Sequence, residues 1–213
     1  MTGHDHPVTH PTELVARAAD LARDGERRIL GIAGEPGAGK STLAVALVAA
    51  LGGGAVYVPM DGFHLARAEL VRLGRAERKG APDTFDVGGY VALLRRLRTR
   101  GEPVVWAPAF HRDLEEPVAG SIAVPAGVPL VITEGNYLLH DHGGWEAVRP
   151  LLDEAWFLDV DRGLRLERLT ARHRAHGRDA EAAYRWARGT DERNAELVRT
   201  TAARADHVLR PAG

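Results

Sequence analysis

The sequence predicts an α/β fold in which a parallel β-sheet is covered by helices on both faces. Two observations support this prediction. Short apolar runs alternate along the chain with longer amphipathic stretches, and a glycine-rich turn joins one such run to a helical stretch. Buried parallel strands and their helical crossovers typically show this alternation. A chain of 213 residues is long enough for one domain of this kind.

The first half of the chain is predicted to hold a tail, four helices and two strands. The segment 1–11 is polar and His-rich and is predicted as a disordered tail, so the single domain would occupy residues 12–213. Helices are expected where apolar residues recur at helical spacing. The elements are a helix over 12–24, a strand over 29–33, a helix over 41–51, a strand over 55–59, a short helix over 65–73, a loop over 75–86 and a helix over 87–100.

The second half contains the remaining strands and two arginine-rich helices. Prolines and glycines at the edges of 107–125 indicate a hairpin or another excursion from the sheet. The other elements are strands over 104–106, 129–133, 155–160 and 207–209, and helices over 162–176 and 180–203. Neither an internal repeat nor a low-complexity linker interrupts the chain, which favours one domain.

The composition excludes several classes of protein. The net charge is −1, so the chain lacks the basic field that nucleic-acid binding needs, and no apolar run approaches the roughly 20 residues of a membrane span. Cysteine is absent, which leaves neither a disulfide framework nor a thiolate metal site. The N-terminus has no apolar secretory core. We therefore expect a cytoplasmic protein that binds neither nucleic acid nor membrane.

The glycine-rich turn matches the phosphate-binding pattern G-x-x-x-x-G-K-[ST] completely. A predicted strand precedes it and a predicted helix follows it, as the pattern requires. Its backbone N–H groups and the helix N-terminus would bind nucleotide phosphates, Lys40 would reach the β- and γ-phosphates, and Ser41 would ligate Mg²⁺. The predicted nucleotide-binding residues are Gly34, Glu35, Pro36, Gly37, Ala38, Gly39, Lys40, Ser41 and Thr42. The motif makes the predicted fold a three-layer P-loop NTPase sandwich.

Two acidic residues follow predicted strands, where ligands of open α/β sheets bind. Asp61 comes after the strand 55–59, and Glu134 comes after the strand 129–133. A phosphotransferase needs one carboxylate to orient or deprotonate the attacking hydroxyl and an acidic group near Mg²⁺. We predict the first role for Asp61 and the second for Glu134. Asp61 thereby joins Lys40 among the predicted catalytic residues.

The arginine-rich helices are predicted to form a lid over about residues 162–190. Cations that close over the γ-phosphate stabilise the charge of phosphoryl transfer, and a lid keeps water out. Arg172 and Arg178 are the predicted catalytic arginines, and Arg168 is predicted to contact the nucleotide. A solvated helical face is the alternative for each arginine.

Several other residues are candidates for binding the substrate that accepts the phosphoryl group. His64 and His111 lie next to predicted strand-end sites and could hydrogen-bond that substrate, whereas aromatic residues could either line its pocket or pack in the core. The full set of substrate-binding candidates is Asp61, Phe63, His64, Lys79, Phe85, His111, Arg112 and Tyr137.

With these residues in view, the chain resembles the family of uridine kinase, phosphoribulokinase and type I pantothenate kinase from about residue 28 to residue 210. It looks nearest to a nucleoside/sugar kinase-like branch that includes fructose-transport-associated kinases. Beside the P-loop, the resemblance rests on Asp-Gly-Phe-His at 61–64, Ala-Pro-Asp-Thr-Phe-Asp at 81–86 and Glu-Gly at 134–135. It implies a core of about five parallel strands with a lid, Asp61 as base, Glu134 near the metal, and an acceptor site shaped by the loop 79–86.

The resemblance implies an ATP- and Mg²⁺-dependent kinase that phosphorylates an alcohol of a nucleoside, sugar or pantothenate-like acceptor. The acceptor-side segment 110–113 departs from the uridine kinase pattern, so the acceptor stays open. A regulatory protein that binds a nucleotide without transferring phosphate is the alternative. A GTPase is disfavoured because the guanine-binding element Asn-Lys-x-Asp is absent. The chain has two lysines, Lys40 and Lys79, and neither follows an asparagine. The sequence leaves open whether ATP or another nucleoside triphosphate is the donor, and whether the protein is a monomer or a homodimer.

Overall fold

A parallel sheet of six strands forms the centre of the computed structural model, which describes residues 8–175, 179, 181 and 189–211. The strands in the described part of the chain are β1 (Val8–Thr9), β2 (Arg28–Gly34), β3 (Ala55–Tyr57), β4 (Val104–His111), β5 (Glu116–Pro125), β6 (Leu130–Gly135), β7 (Glu154–Leu158) and β8 (His207–Pro211). Six of them pair in the order β1-β8-β7-β2-β6-β3, with every pair parallel. Five strands form the main sheet, and β1 adds two residues at one edge.

Helices cover both faces of this sheet. The α-helices of the described residues are α1 (Pro11–Leu21), α2 (Lys40–Leu51), α3 (Arg67–Arg72), α4 (Val87–Thr99), α5 (Arg162–Ala175) and α6 (Thr190–Arg199). One apolar core joins the sheet to α1 and α2 and contains Leu14, Leu47 and Trp156. A second core on the other face contains Tyr90, Leu94 and Trp145. The predicted three-layer α/β fold is therefore confirmed.

The N-terminal segment differs from the predicted tail. Val8 and Thr9 form β1, whose partners in β8 are Arg210 and Pro211, and α1 begins at Pro11. Both β1 residues are β-branched, a type that suits a strand, and β8 offers them an otherwise unpaired edge. The expectation of disorder is therefore wrong for residues 8–11, and residues 1–7 lie outside the described part.

The excursion predicted over 107–125 is a β-hairpin, and it begins earlier than expected. Strands β4 and β5 pair antiparallel with each other, apart from the main sheet. The register shifts between Ala107 and Ala109, on either side of Pro108, a residue that cannot donate to the ladder. A short 3₁₀ turn, Met60–Phe63, packs against the hairpin so closely that a Cβ at Gly62 would lie 2.4 Å from the Pro108 carbonyl oxygen.

The remaining predictions concern the arginine-rich segment and the loop over 75–86. The first predicted lid helix is α5, and α6 is the described part of the second; residues 176–178, 180 and 182–188 lie outside the described residues. The loop contains two 3₁₀ turns, Ala76–Arg78 and Pro82–Thr84. Among the described residues, we find no helix with the length and apolar character needed to span a membrane.

Candidate active site

Three neighbouring strands bring the predicted donor and base residues to one edge of the sheet. Strand β2 pairs with β6, and β6 pairs with β3, all in parallel, so their carboxyl ends meet. The glycine-rich turn follows β2, Glu134 is the penultimate residue of β6, and Asp61 lies in the 3₁₀ turn after β3. This edge is where open α/β sheets bind their ligands.

The glycine-rich turn holds Lys40 in a buried position at the start of α2. The Lys40 ammonium donates to the carbonyl oxygens of Gly34 and Glu35, at 2.9 and 3.0 Å, and to Asn136 Oδ1 at 2.7 Å. The turn depends on glycine at Gly37, where φ is 84° and a Cβ would lie 2.8 Å from the Arg165 carbonyl oxygen. Phosphate binding would have to exchange at least one of these three lysine bonds for a phosphate oxygen.

Glu134 collects two hydroxyl donors. Ser41 Oγ donates to Glu134 Oε1 at 3.0 Å, and the Tyr57 hydroxyl donates to the same oxygen at 2.7 Å. Burial and the nearby charge of Asp61 raise the pKa of Glu134, although Lys40 and the two hydroxyl donors oppose that change. Burial and the charge of Glu134 also raise the pKa of Tyr57, which keeps its hydroxyl a donor.

The pair of Ser41 and Glu134 is a suitable ligand set for Mg²⁺. Both offer oxygen atoms, the type that Mg²⁺ prefers, and they already lie 3.0 Å apart. Glu134 is only 4% exposed, so its negative charge lacks most of its hydration. A cation at this position would offset that cost. Thr42 follows in the first turn of α2 and is exposed.

Two arginines from distant helices hold the Glu35 side chain. Arg199 Nε and Nη2 donate to the two Glu35 carboxylate oxygens at 2.8 and 3.0 Å, and Arg165 Nε lies 2.9 Å from Oε2. Arg165 is fully buried, and its Nη1 donates to the Pro36 carbonyl oxygen at 3.3 Å. Because the Glu35 carbonyl also accepts from Lys40, one residue joins the lysine to α5 and α6.

The structure describes the side chain of only one of the three predicted lid arginines. Arg168 lies beside the glycine-rich turn, with Nη1 3.5 Å from the Ala38 carbonyl oxygen, the upper limit of a hydrogen bond. Arg172 lies in α5, but its side chain is outside what the structure describes, and Arg178 lies outside the described residues. Their predicted roles in catalysis therefore stay predictions. The helices themselves are joined by Glu192, which pairs with Arg162 at 2.8 Å and also with Arg165.

Asp61 has a carboxylate without a hydrogen-bond or ion-pair partner among the described residues. Its backbone is held instead: the Asp61 carbonyl oxygen accepts from the His64 amide at 3.2 Å and lies 2.8 Å from His64 Nδ1. Because a carbonyl can only accept, Nδ1 of His64 must carry the proton. Burial lowers the pKa of His64, and the charges of Lys79 and Arg112 lower it further against the opposing effect of Asp61.

Most of the aromatic residues that were predicted to bind the substrate are buried in the core. Phe85 is buried, and its ring packs against Tyr137 and Trp145 at centroid distances of 5.8 and 5.7 Å. Tyr137 is fully buried, and its hydroxyl donates to the Gly80 carbonyl oxygen at 2.6 Å. Phe63 is half-buried, 5.1 Å from the Tyr90 ring. Phe85 and Tyr137 therefore support the loop over 75–86 from the core and are not exposed to a ligand.

The remaining acceptor-side candidates lie around the end of the hairpin. Lys79 donates to the Glu115 carbonyl oxygen at 2.7 Å, and its ammonium lies 4.7 Å from the centre of the Phe110 ring. His111 is exposed and lies 3.3 Å from Ser121 Oγ across the hairpin. Arg112 is exposed on the turn, and its guanidinium makes neither a hydrogen bond nor an ion pair with any described residue.

Three contacts of the site were not predicted from the sequence. Asn136 accepts from Lys40, Tyr57 donates to Glu134, and Arg199 holds Glu35. Asn136 carries a usable signal, since it follows Glu134 by two residues at the same strand end. The pairing of Arg199 with Glu35 spans 164 residues, and nothing in the sequence distinguishes this arginine from the many others.

Comparisons with other proteins agree with this geometry. No family model matches the chain. The chain is 38% identical over 148 residues to the ATP-dependent kinase-like protein notR' of Aspergillus versicolor, covering 65% of this chain and 86% of that protein. It is 34% identical over 179 residues to a Schizosaccharomyces pombe protein that bears the name of a uridine kinase, covering 80% of this chain and 76% of that protein. A solved structure from Silicibacter sp. TM1040, which bears the name of a fructose transport system kinase, matches with a TM-score of 0.86 and 35% identity. The match covers 94% of this chain and 99% of that chain.

Proposed function

The chain belongs to the family of ATP-dependent, uridine kinase-like P-loop kinases, and on this premise we propose that it transfers the γ-phosphoryl group of ATP to an alcohol of a small molecule. The observation that carries the proposal is the position of Asp61. Its unpaired carboxylate lies at the strand end next to Glu134, on the same sheet edge as the phosphate cradle. A protein that only binds a nucleotide has no need of a free carboxylate there.

The donor half of the reaction would be carried out by the glycine-rich turn. Backbone N–H groups of residues 34–41 and the N-terminus of α2 would bind the phosphate oxygens, and Lys40 would exchange part of its present bonds for the β- and γ-phosphates. Arg168 lies where it could add positive charge beside the turn. The predictions for Arg172 and Arg178 belong to the same half.

Ser41 and Glu134 would hold Mg²⁺. The ion, when bound, neutralises charge on the phosphates. Glu134 is suited to this role because its ionised form is poorly hydrated, and Tyr57 fixes its orientation through a hydrogen bond of 2.7 Å.

The acceptor half would depend on Asp61. The acceptor hydroxyl would donate its proton to the Asp61 carboxylate while its oxygen forms a bond to the γ-phosphorus. The bond between that phosphorus and the oxygen bridging to the β-phosphate breaks, and ADP leaves with the electron pair. The neutral His64, held by its protonated Nδ1 at the Asp61 carbonyl, would help to fix the turn that carries the base.

A panel of acceptors would test the proposal. The protein is incubated with ATP and Mg²⁺ and with nucleosides, sugars, sugar phosphates, sugar acids or pantothenate, and both ADP and phosphorylated product are measured. We expect at least one acceptor to raise ADP release above the acceptor-free rate, with one product molecule for each ADP. ATP binding without any acceptor-dependent product would favour the alternative, a regulatory protein that binds the nucleotide.

A further inference from the structure

Among the residues that the structure describes, the aromatic rings on the acceptor side are engaged within the protein, which does not favour binding of a nucleobase there. Proteins hold flat bases by stacking them on exposed aromatic rings. Phe85 lies in the loop over 75–86, and Tyr137 donates to the Gly80 carbonyl oxygen of that loop, but the two residues are 6% and 0% exposed and each packs against Trp145. Neither ring therefore offers a free face to an acceptor.

Phe110 does not provide a stacking face either. Its ring lies 5.0 Å from the His64 ring and carries the Lys79 ammonium at 4.7 Å from its centre. A cation at this distance is attracted by the negative face of the ring. This face of the Phe110 ring is thus covered by a positive charge, and a base would have to displace that charge to stack on it.

Two cationic residues meet at the hairpin turn: the Glu115 carbonyl oxygen accepts from Lys79 at 2.7 Å, and the Glu115 amide donates to the Arg112 carbonyl oxygen at 3.3 Å. Lys79 and Arg112 are both near enough to His64 for their charges to lower its pKa, and His64 is bonded to the Asp61 backbone. Nearby carboxylates offset these charges only in part. Glu115 Oε2 lies 3.8 Å from Lys79, and Glu116 is engaged by the Arg67 amide at 3.0 and 3.2 Å.

Arg112 is the least compensated of these groups. Its carbonyl oxygen accepts from the Glu115 amide at 3.3 Å, but its guanidinium makes no hydrogen bond or ion pair with the described residues, and Asp113, exposed next to it on the same turn, does not pair with it. A guanidinium presents two parallel N–H donors, which match the oxygens of a carboxylate or a phosphate. Lys79 adds a second cation that is already held in place by its bond to the Glu115 carbonyl oxygen.

We propose that the acceptor is a small hydroxylated anion, whose carboxylate or phosphate group is bound by Arg112 and Lys79 while one of its hydroxyl groups lies at Asp61. This inference rests on the proposed kinase function and narrows its substrate class. Nucleosides and neutral sugars are then poor acceptors, because they leave the Arg112 guanidinium without an anionic partner.

The first experiment compares matched acceptors. Sugar acids and sugar phosphates are tested beside the neutral sugars from which they derive, and nucleosides form a further set. We expect the best anion to exceed its neutral counterpart at least tenfold in kcat/KM, and the acid and phosphate sets show which anionic group is preferred. A nucleoside or neutral sugar with the highest kcat/KM would overturn the inference while leaving the kinase proposal intact. Transfer to no acceptor would contradict both.

The second experiment changes the two cations. We expect Arg112→Ala and Lys79→Ala each to raise KM for the anionic acceptor at least tenfold, with KM for ATP changed less than twofold and Arg112→Lys recovering part of the loss. Arg95→Ala, an exposed arginine of α4, is the control and is expected to change neither constant. An unchanged KM for the acceptor in both variants, or an equal rise in KM for ATP, would contradict binding of the anion by these residues.

Discussion

The donor and acceptor sides of the site differ in how fully their polar groups are engaged within the protein. On the donor side, Lys40 makes three hydrogen bonds, and the Glu35 carboxylate is held by two arginines. On the acceptor side, the Asp61 carboxylate and the Arg112 guanidinium have no partner among the described residues. The donor side is therefore assembled before ATP arrives, whereas the acceptor side leaves its charged groups available.

This difference indicates where specificity lies. Backbone groups and a contiguous motif form the donor side, so many related kinases can share it. Three separate segments form the acceptor side: the turn Met60–Phe63, the loop over 75–86 and the hairpin of β4 and β5. Changes in a loop or a hairpin turn cost little stability, so the acceptor can differ among proteins that keep the same fold.

The largest effect is expected for Lys40→Ala. The variant removes the buried charge that would stabilise the transferred phosphoryl group, and we expect kcat to fall by about 10²–10³-fold or more, as for loss of a preorganised charge. Acceptor-dependent ADP release measures this loss, and a thermal melt checks the fold. Arg95→Ala is the matched control. Normal kinetics in Lys40→Ala would refute the donor-side assignment.

Glu134→Gln is expected to lower activity and to stabilise the ligand-free protein. The raised pKa of Glu134 means that the folded state favours the protonated form. The stabilisation that the protonated Glu134 provides is fully present below the ordinary pKa of a glutamate. It is lost as the pH rises through the pKa that Glu134 has in the folded state. At neutral pH the uncharged Gln removes the cost of burying a negative charge, so Tm without Mg²⁺ should rise, while kcat falls about 10²-fold because the metal ligand is weakened.

Thermal melts from pH 4 to pH 8 test the Glu134 prediction. Glu102→Gln is the contrasting control, because Arg96 lowers the pKa of that exposed carboxyl and its loss should not raise Tm. A Tm for Glu134→Gln below that of the wild type at neutral pH would show that Glu134 is not destabilised by its charge.

Smaller effects on activity are expected where the donor side joins the helices. Glu35→Gln leaves the buried Arg165 with less compensation, and breaking a buried ion pair typically costs about 3–5 kcal/mol. Arg199→Gln should cost less, because the Arg199 side chain is 49% exposed. We also expect KM for ATP to rise about tenfold in Glu35→Gln, through the Glu35 carbonyl that holds Lys40. Denaturant unfolding measures the loss of stability, and activity at increasing ATP concentrations measures KM. Equal losses of stability in Glu35→Gln and Arg199→Gln would contradict the role of burial.

The two sides also differ in how well the sequence predicts them. The P-loop and the strand ends follow from local patterns, because the motif is contiguous and parallel strands end at one edge. The contacts of Asn136, Tyr57 and Arg199 depend on which distant side chains the fold brings together. Phe85 and Tyr137 show the same limit, since a pattern of aromatic residues does not distinguish a pocket wall from the core beneath it.

The most direct test of this account is the effect of Asp61→Asn on ATP binding and on phosphoryl transfer, measured on the same preparation. The substitution keeps the size of the side chain and removes its charge. We predict a Kd for ATP within about twofold of the wild type and transfer to the acceptor reduced at least about 10²-fold, as expected for loss of a general base. Unchanged turnover in Asp61→Asn would contradict the assignment of Asp61 as the base and the division of the site into donor and acceptor sides.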